Sequence, residues 1–173
     1  PLLAGLAMTR AVASLVTDHS VTLKWPNDVQ VDSLKVSGLL AELLPNAAGV
    51  VIGAGVNLTI AAEDLPTPTS TSLTLVGVAE ENIVDRALAA YLSELRRGYD
   101  AFAGDRFDPQ ARLRAEVQSA CNTIGRPVRV ELPGAADVHG TAVDIDELGR
   151  LVVSRDGELL PVAAGDVTHL RYE

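Results

Sequence analysis

From Gly125 to Glu173 the sequence is cut at short intervals by turn dipeptides: Pro133-Gly134, Leu148-Gly149, Asp156-Gly157 and Ala164-Gly165. Between them lie the β-rich pieces Val128 to Leu132, Val138 to Ile145, Leu151 to Ser154, Glu158 to Val162 and Val167 to Arg171. None is long enough for a stable helix, and each is bounded by residues that favour turns. Five short strands in so few residues fold as a small β barrel. The change of texture divides the chain into residues 1–123 and a C-terminal β unit, 124–173.

The longer part mixes helix and strand periodicity. Leu2, Leu3, Leu6, Val12, Leu15 and Val16 recur at near-helical spacing, with alanines between them that suit a helix packed closely on a sheet. Val21 to Leu23 reads as a strand, broken by Trp25-Pro26-Asn27-Asp28. Val29 to Val31, a turn at Asp32-Ser33, and Leu34 to Leu44 read as a hairpin. Val50 to Leu58 is a further strand and Asp64 to Ser72 a loop. Glu80 to Arg97 carries Ile83, Val84, Leu88, Tyr91, Leu92 and Leu95 on one stripe, with an acidic first and a basic last turn. Asp108-Pro109 opens a helix running to about Cys121. The expected class is α/β, a mixed sheet covered by helices. Aromatic residues are 3% of the chain against 47% hydrophobic, so its core is built from Leu, Val, Ile and Ala.

A net charge of −9 argues against a surface that coats nucleic acid. One cysteine, Cys121, excludes an intrachain disulfide and a cysteine metal cluster, which fits a cytoplasmic protein. His19, His139 and His169 lie far apart in sequence and read as surface or turn residues. The apolar start, Pro1 to Val16, is too short and too mixed to span a membrane and lacks the pattern of a signal peptide. It enters directly into a helix, so the chain reads as part of a longer protein.

Two stretches carry chemistry. In Lys24-Trp25-Pro26-Asn27-Asp28 and Lys35-Val36-Ser37-Gly38-Leu39-Leu40-Ala41-Glu42, a hairpin brings Lys24, Asp28 and Lys35 toward one pocket. Lysine is a compact cation suited to phosphate or carboxylate oxygens. Asp28 has three open roles: holding Mg²⁺, positioning a lysine, or accepting a proton. Gly38 allows a ligand or another backbone to come close. A hairpin with solvated charges has the same composition. In Gly53-Ala54-Gly55-Val56-Asn57, the glycines admit a closely packed segment, and the Asn57 amide is able to read a base edge. The stretch is neither a dinucleotide fingerprint nor a P-loop.

Lys-Trp-Pro-Asn-Asp, then Lys-x-x-Gly-x-Leu-x-Glu, then Gly-x-Gly-x-Asn, in this order, resembles the biotin protein ligase family. Thr71-Ser72-Leu73 is similar to a further element of that family, and the C-terminal β unit resembles its SH3-like domain. The resemblance implies a core like that of class II aminoacyl-tRNA synthetases. It implies an ATP-dependent enzyme that forms biotinoyl-AMP with Mg²⁺ bridging the phosphates, then transfers biotin to a lysine of a biotin carboxyl carrier domain. By motif, Lys35 is placed at the biotin carboxylate and the ATP α-phosphate, with Asp28 beside it as orienting group or metal ligand. Asn57 is placed at the adenine. Lys24 is a supporting cation, and Trp25, Asn27, Gly38 and Gly55 belong to the ATP and biotin pocket.

The family's Gly-Arg-Gly-Arg-x-Gly loop, expected upstream of Lys24, has no counterpart here; the Gly-Arg pairs are Gly125-Arg126 and Gly149-Arg150. An incomplete biotin pocket, weak or absent activity of this chain on its own, exposed sheet edges and exposed apolar surface are therefore expected. Two other functions compatible with the motifs are a non-catalytic module that binds adenylate or a carrier domain, and a lipoate ligase-like enzyme.

Overall fold

Helix α1 (Leu2–Ala13) presents Ala4, Ala7 and Ala11 to the sheet below it, all buried. Small side chains let helix and sheet approach closely. At Gly5 an added Cβ would stand 2.8 Å from Leu23 on the first strand. The computed structural model describes residues 1–132, 134, 136–163 and 165–169. The strands β1 (Val21–Lys24), β2 (Asp28–Val31), β3 (Leu34–Leu43) and β4 (Val50–Val56) form one antiparallel sheet in chain order. Parallel pairing appears among the described residues as two isolated bridges, Leu23 with Cys121 and Lys35 with Ser70. Val29, Val31, Val36 and Leu39 point to the helical side and close a core with Met8, Val12, Leu73 and Tyr91. The hairpin turns at Asp32-Ser33, as the sequence predicts, with both residues at positive φ.

Helix α2 (Ile83–Gly104) runs beyond the predicted end at Arg97. Arg96 and Arg97 therefore lie inside the helix and its last turn holds no basic residue, whereas the acidic first turn read from the sequence is present in Asp85. Gly98 does not stop the helix; it lets Leu3 of α1 approach to 2.8 Å of where a Cβ would stand. The predicted stripe is split. Ile83 and Tyr91 are buried and Leu95 packs on the core, whereas Val84, Leu88 and Leu92 are exposed. Helix α3 (Pro109–Ala120) starts as expected: Asp108 Oδ1 accepts from the Ala111 amide at 2.9 Å.

Strand β4 is the edge of its sheet, and Val50, Val51 and Ile52 are exposed on it. Val50 and Ile52 border an apolar hollow of about 1030 Å³, whose walls include Leu2, Trp25, Leu92 and Tyr99. The exposed edge and apolar surface expected from the sequence are both present. No helix among the described residues is long and apolar enough to cross a membrane.

Strands β5 (Pro127–Glu131), β6 (Val138–Ile145), β7 (Leu151–Arg155), β8 (Glu158–Val162) and β9 (Asp166–His169) form a second antiparallel sheet in the order β8-β7-β6-β5-β9. Each strand buries side chains in one cluster, among them Val128, Val130, Ile145, Leu151, Val153, Val162 and Val167. This is the small β unit predicted. Pro133, Ala164, Leu170 and Arg171, which the sequence reading placed in turns and the last strand, lie outside the described residues. Leu6, Leu23 and Trp25 belong to the same cluster, so the second core spans both units.

Candidate active site

The pairing register builds the site. Lys24 stands opposite Asp28, Asp28 opposite Gly38, and Gly38 opposite Gly55. Directly opposed residues share a face, so one row crosses all four strands on the side away from the helical core. Lys35 joins this row through a β-bulge. Ser37 pairs with Val29, but the next pair is Gln30 with Lys35, which leaves Val36 as the extra residue. The bulge resets the alternation. Val36 becomes fully buried, and Lys35 comes out beside Gly38. Without it, the lysine would point toward the core and the valine toward the open face.

Lys35 Nζ lies 2.6 Å from Asp28 Oδ1. Lys24 Nζ approaches the other oxygen of Asp28 at 3.9 Å and Asp166 of β9 at 4.0 Å. A Cβ at position 38 would meet Lys35 Cε and Nζ at 3.2 Å and Asp28 Oδ1 at 3.4 Å. Gly38 thus clears space for the ion pair itself. Gly53 has open space around it, and Gly55 has the Gly38 carbonyl oxygen 3.8 Å from its own missing Cβ. The glycines leave a flat, unobstructed strip of backbone beside the lysine.

The other predicted residues frame this row. The Asn57 side chain donates to the Thr71 carbonyl at 2.9 Å, and its amide nitrogen donates to Val36. The Lys35 amide donates to Thr69, and Thr71 donates back to the Lys35 carbonyl. The loop carrying Thr71-Ser72-Leu73 therefore takes the place of β4 beside the bulge. Asn27 ties the hairpin, its side chain donating to the Leu39 carbonyl at 2.5 Å and its own carbonyl accepting from the Leu39 amide. Trp25 is fully buried, and its indole Nε1 donates to the Gly149 carbonyl at 3.0 Å. It anchors the site from beneath, between the two units, rather than lying on the open face.

Asp28 is flanked by two lysine cations, which opposes a metal ion at that carboxylate. No group of three or more His, Cys, Asp and Glu side chains among the described residues is arranged to hold one. His169, read from the sequence as a surface or turn residue, instead sits half-buried between the units, its Nε2 3.2 Å from Thr123 Oγ1. Burial, with the Arg126 and Lys24 charges adding to it, lowers its pKa to about 4. Neither the bulge nor the Thr123 contact was identified in the sequence. The bulge left one signal: Lys35 and Val36 are out of phase with the apolar alternation of the strand.

An antiparallel sheet with a lysine–carboxylate pair on a glycine-opened face, backed by helices and joined to a small β unit, defines the class. Residues 2–57 match the biotin/lipoate A/B protein ligase family. Residues 123–170 match the biotin protein ligase C terminal domain, which narrows the assignment. The chain belongs to the biotin protein ligase family. It is 42% identical over 172 residues to the biotin–[acetyl-CoA-carboxylase] ligase of Mycobacterium tuberculosis, covering 98% of this chain and 62% of that protein. The fold is similar to a biotin protein ligase from Aquifex aeolicus, with a TM-score of 0.79 at 23% identity over 99% of this chain and 74% of the other. A structure of the Aquifex aeolicus enzyme in complex with biotin and ATP gives a TM-score of 0.72 at 23% identity, over 99% and 71%. The chain thus spans less than two thirds of the length of its curated Mycobacterium relative.

Proposed function

We propose that this chain carries the adenylation chemistry of an ATP-dependent biotin protein ligase. The observation that carries the reading is the bulge-presented Lys35, held 2.6 Å from Asp28 on an open, glycine-lined face. In the first step, a biotin carboxylate oxygen attacks the α-phosphorus of ATP; the bond to the β-phosphate oxygen breaks, leaving biotinoyl-AMP and pyrophosphate. Two anions must meet, and Lys35 offsets the charge that accumulates as they do. Asp28 holds the ammonium in place, and Lys24 keeps Asp28 from being an unbalanced negative charge beside the phosphates. In the second step, a carrier-domain lysine amine attacks the acyl carbon. An amide forms, AMP leaves, and the amine loses a proton.

Asn57 faces the adenine in this reading with its side-chain carbonyl and its second N–H, the first N–H donating to Thr71. Gly55 lets the ligand lie against backbone, beside the ion pair that Gly38 admits. Mg²⁺ would come with the nucleotide and neutralise phosphate charge; Asp28 is the carboxylate of this site, and its two lysine neighbours leave it poorly suited to hold the ion.

In the full-length parent protein, Lys35→Ala should lower biotin-dependent ATP–pyrophosphate exchange by about 10²- to 10³-fold, the range typical for removing a group that stabilises transition-state charge. Near-normal exchange would sink the assignment. A panel of biotin, lipoate and octanoate separates the biotin reading from a lipoate ligase-like one, and the match of the C-terminal unit favours biotin.

A further inference from the structure

Strand β1 ends at Lys24 and β2 begins at Asp28, so the intervening turn has no ladder to hold its first amide. The Trp25 N–H finds its acceptor outside the sheet, in Thr123 Oγ1 at 3.1 Å. Thr123 lies on the link between the two units and is fully buried. Its hydroxyl has one proton to donate, and His169 Nε2 of β9 is 3.2 Å away. With its pKa lowered to about 4, His169 is neutral near pH 7, and in the tautomer protonated on Nδ1 its Nε2 accepts that proton. The chain of donors runs from the Trp25 amide to the Thr123 hydroxyl to the His169 ring.

What lies beyond Trp25 is stiff. Pro26 has a fixed φ, and Asn27 is tied to Leu39 through its side chain and its carbonyl. Asp28 comes next, and it holds Lys35 at 2.6 Å. A shift of the Trp25 backbone therefore passes to the Asp28 carboxylate with little slack to absorb it. We propose that Thr123 is a positioning residue for the Asp28–Lys35 pair: through the Trp25 amide, it lets the C-terminal unit set where the adenylating lysine stands. The kinetic side of this proposal rests on the ligase reading above.

Thr123→Val keeps the shape and removes the hydroxyl, while Thr123→Ser keeps the hydroxyl. In pyrophosphate exchange by the intact protein, Thr123→Val should lower kcat roughly tenfold, since displacements of about an ångström cost up to about 10²-fold. The KM for biotin should stay within about twofold, and Thr123→Ser should behave as wild type. A purely structural threonine would lower thermal stability without splitting kcat from KM, and a Thr123→Val enzyme with wild-type kcat overturns the proposal. If Thr123→Val does not fold, His169→Phe, which strips the acceptor from the hydroxyl, takes its place. A loss of roughly threefold in kcat then supports the proposal and wild-type turnover overturns it. Should the full-length wild-type protein show no exchange, the ligase reading fails, and the crystal structure of the folded variant decides this point alone. A lengthened Lys35–Asp28 contact upholds the positioning role; an unchanged contact ends it.

Discussion

Gly38 makes room for a charge pair. Its backbone stands opposite Asp28 and Gly55, and the space its missing side chain leaves is taken by the end of Lys35. Gly38→Ala would press a methyl group against Lys35 Nζ and Asp28 Oδ1, atoms at the far ends of side chains that are free to yield. The fold should survive, with a melting temperature within a few degrees of wild type. Pyrophosphate exchange should fall by about tenfold or more, because the yielding atoms are the ones that must be placed. An unchanged rate with an intact fold would show that the pair tolerates displacement. The motif pointed to Lys35, Asp28 and Gly38, but not to their relation: a glycine in a strand reads as room for a ligand, whereas here it first admits a neighbouring side chain.

At the scale of elements, the hairpin from Asp28 to Leu43 is where sequence reasoning succeeded and then stopped. Its strands and its turn at Asp32-Ser33 were legible from β-branched runs and turn residues. The bulge at Val36 was not, because a bulge is a mismatch of register between two strands and is settled by what each side chain meets. The turn also carries strain. Ser33 has φ 69° and Asp32 φ 49°, a left-handed pair without glycine. Asp32 is compensated by accepting from the Ser20 amide and by its contact with His19. Ser33→Gly should stabilise the protein by about 0.5–1 kcal/mol, the left-handed cost of a side-chain-bearing residue less glycine's greater unfolded entropy. Chemical denaturation measures it; a lower midpoint would show that entropy outweighs strain. Helix α2 was misjudged at its C-terminal end for a related reason. Gly98 and two arginines resemble a helix terminus, and only the contact with Leu3 shows why the helix continues.

For the whole molecule, the junction between the two units is the consequential region. Trp25 opens the turn between β1 and β2 in the sheet of the candidate site and is buried in the core cluster of the C-terminal unit. His169 completes that junction as a neutral ring. Its folded pKa of about 4 is below the ordinary value of 6.5, so between these values the unfolded chain binds more protons than the folded one. Its contribution to stability is therefore fully present above about pH 6.5 and is lost as the pH falls toward 4. Thermal melts across this window should show stability falling with pH, and His169→Phe should flatten that slope. An equally steep slope in the variant would place the effect elsewhere. Glu116, held below the ordinary carboxylate range first by its hydrogen bond from Arg10, adds stability that is lost at lower pH, outside the upper part of this window.

By itself, the sequence determined what periodicity and punctuation can carry: α1, the hairpin, the start of α3 and the five-stranded C-terminal unit. Its motifs pointed to the family and to the residues proposed to carry the chemistry. These are local signals, written in residues close together along the chain. The tertiary structure decided the rest: the bulge that turns Lys35 to the open face, the burial of Trp25 in a core shared by both units, and the contacts of Thr123 and His169. The burial and the contacts depend on residues far apart in sequence, 98 positions between Trp25 and Thr123 and 124 between Trp25 and Gly149; the bulge lies within one hairpin but is settled by which side chain the core accepts. Such features follow from how packed surfaces meet, and the pattern along the chain records them faintly or not at all.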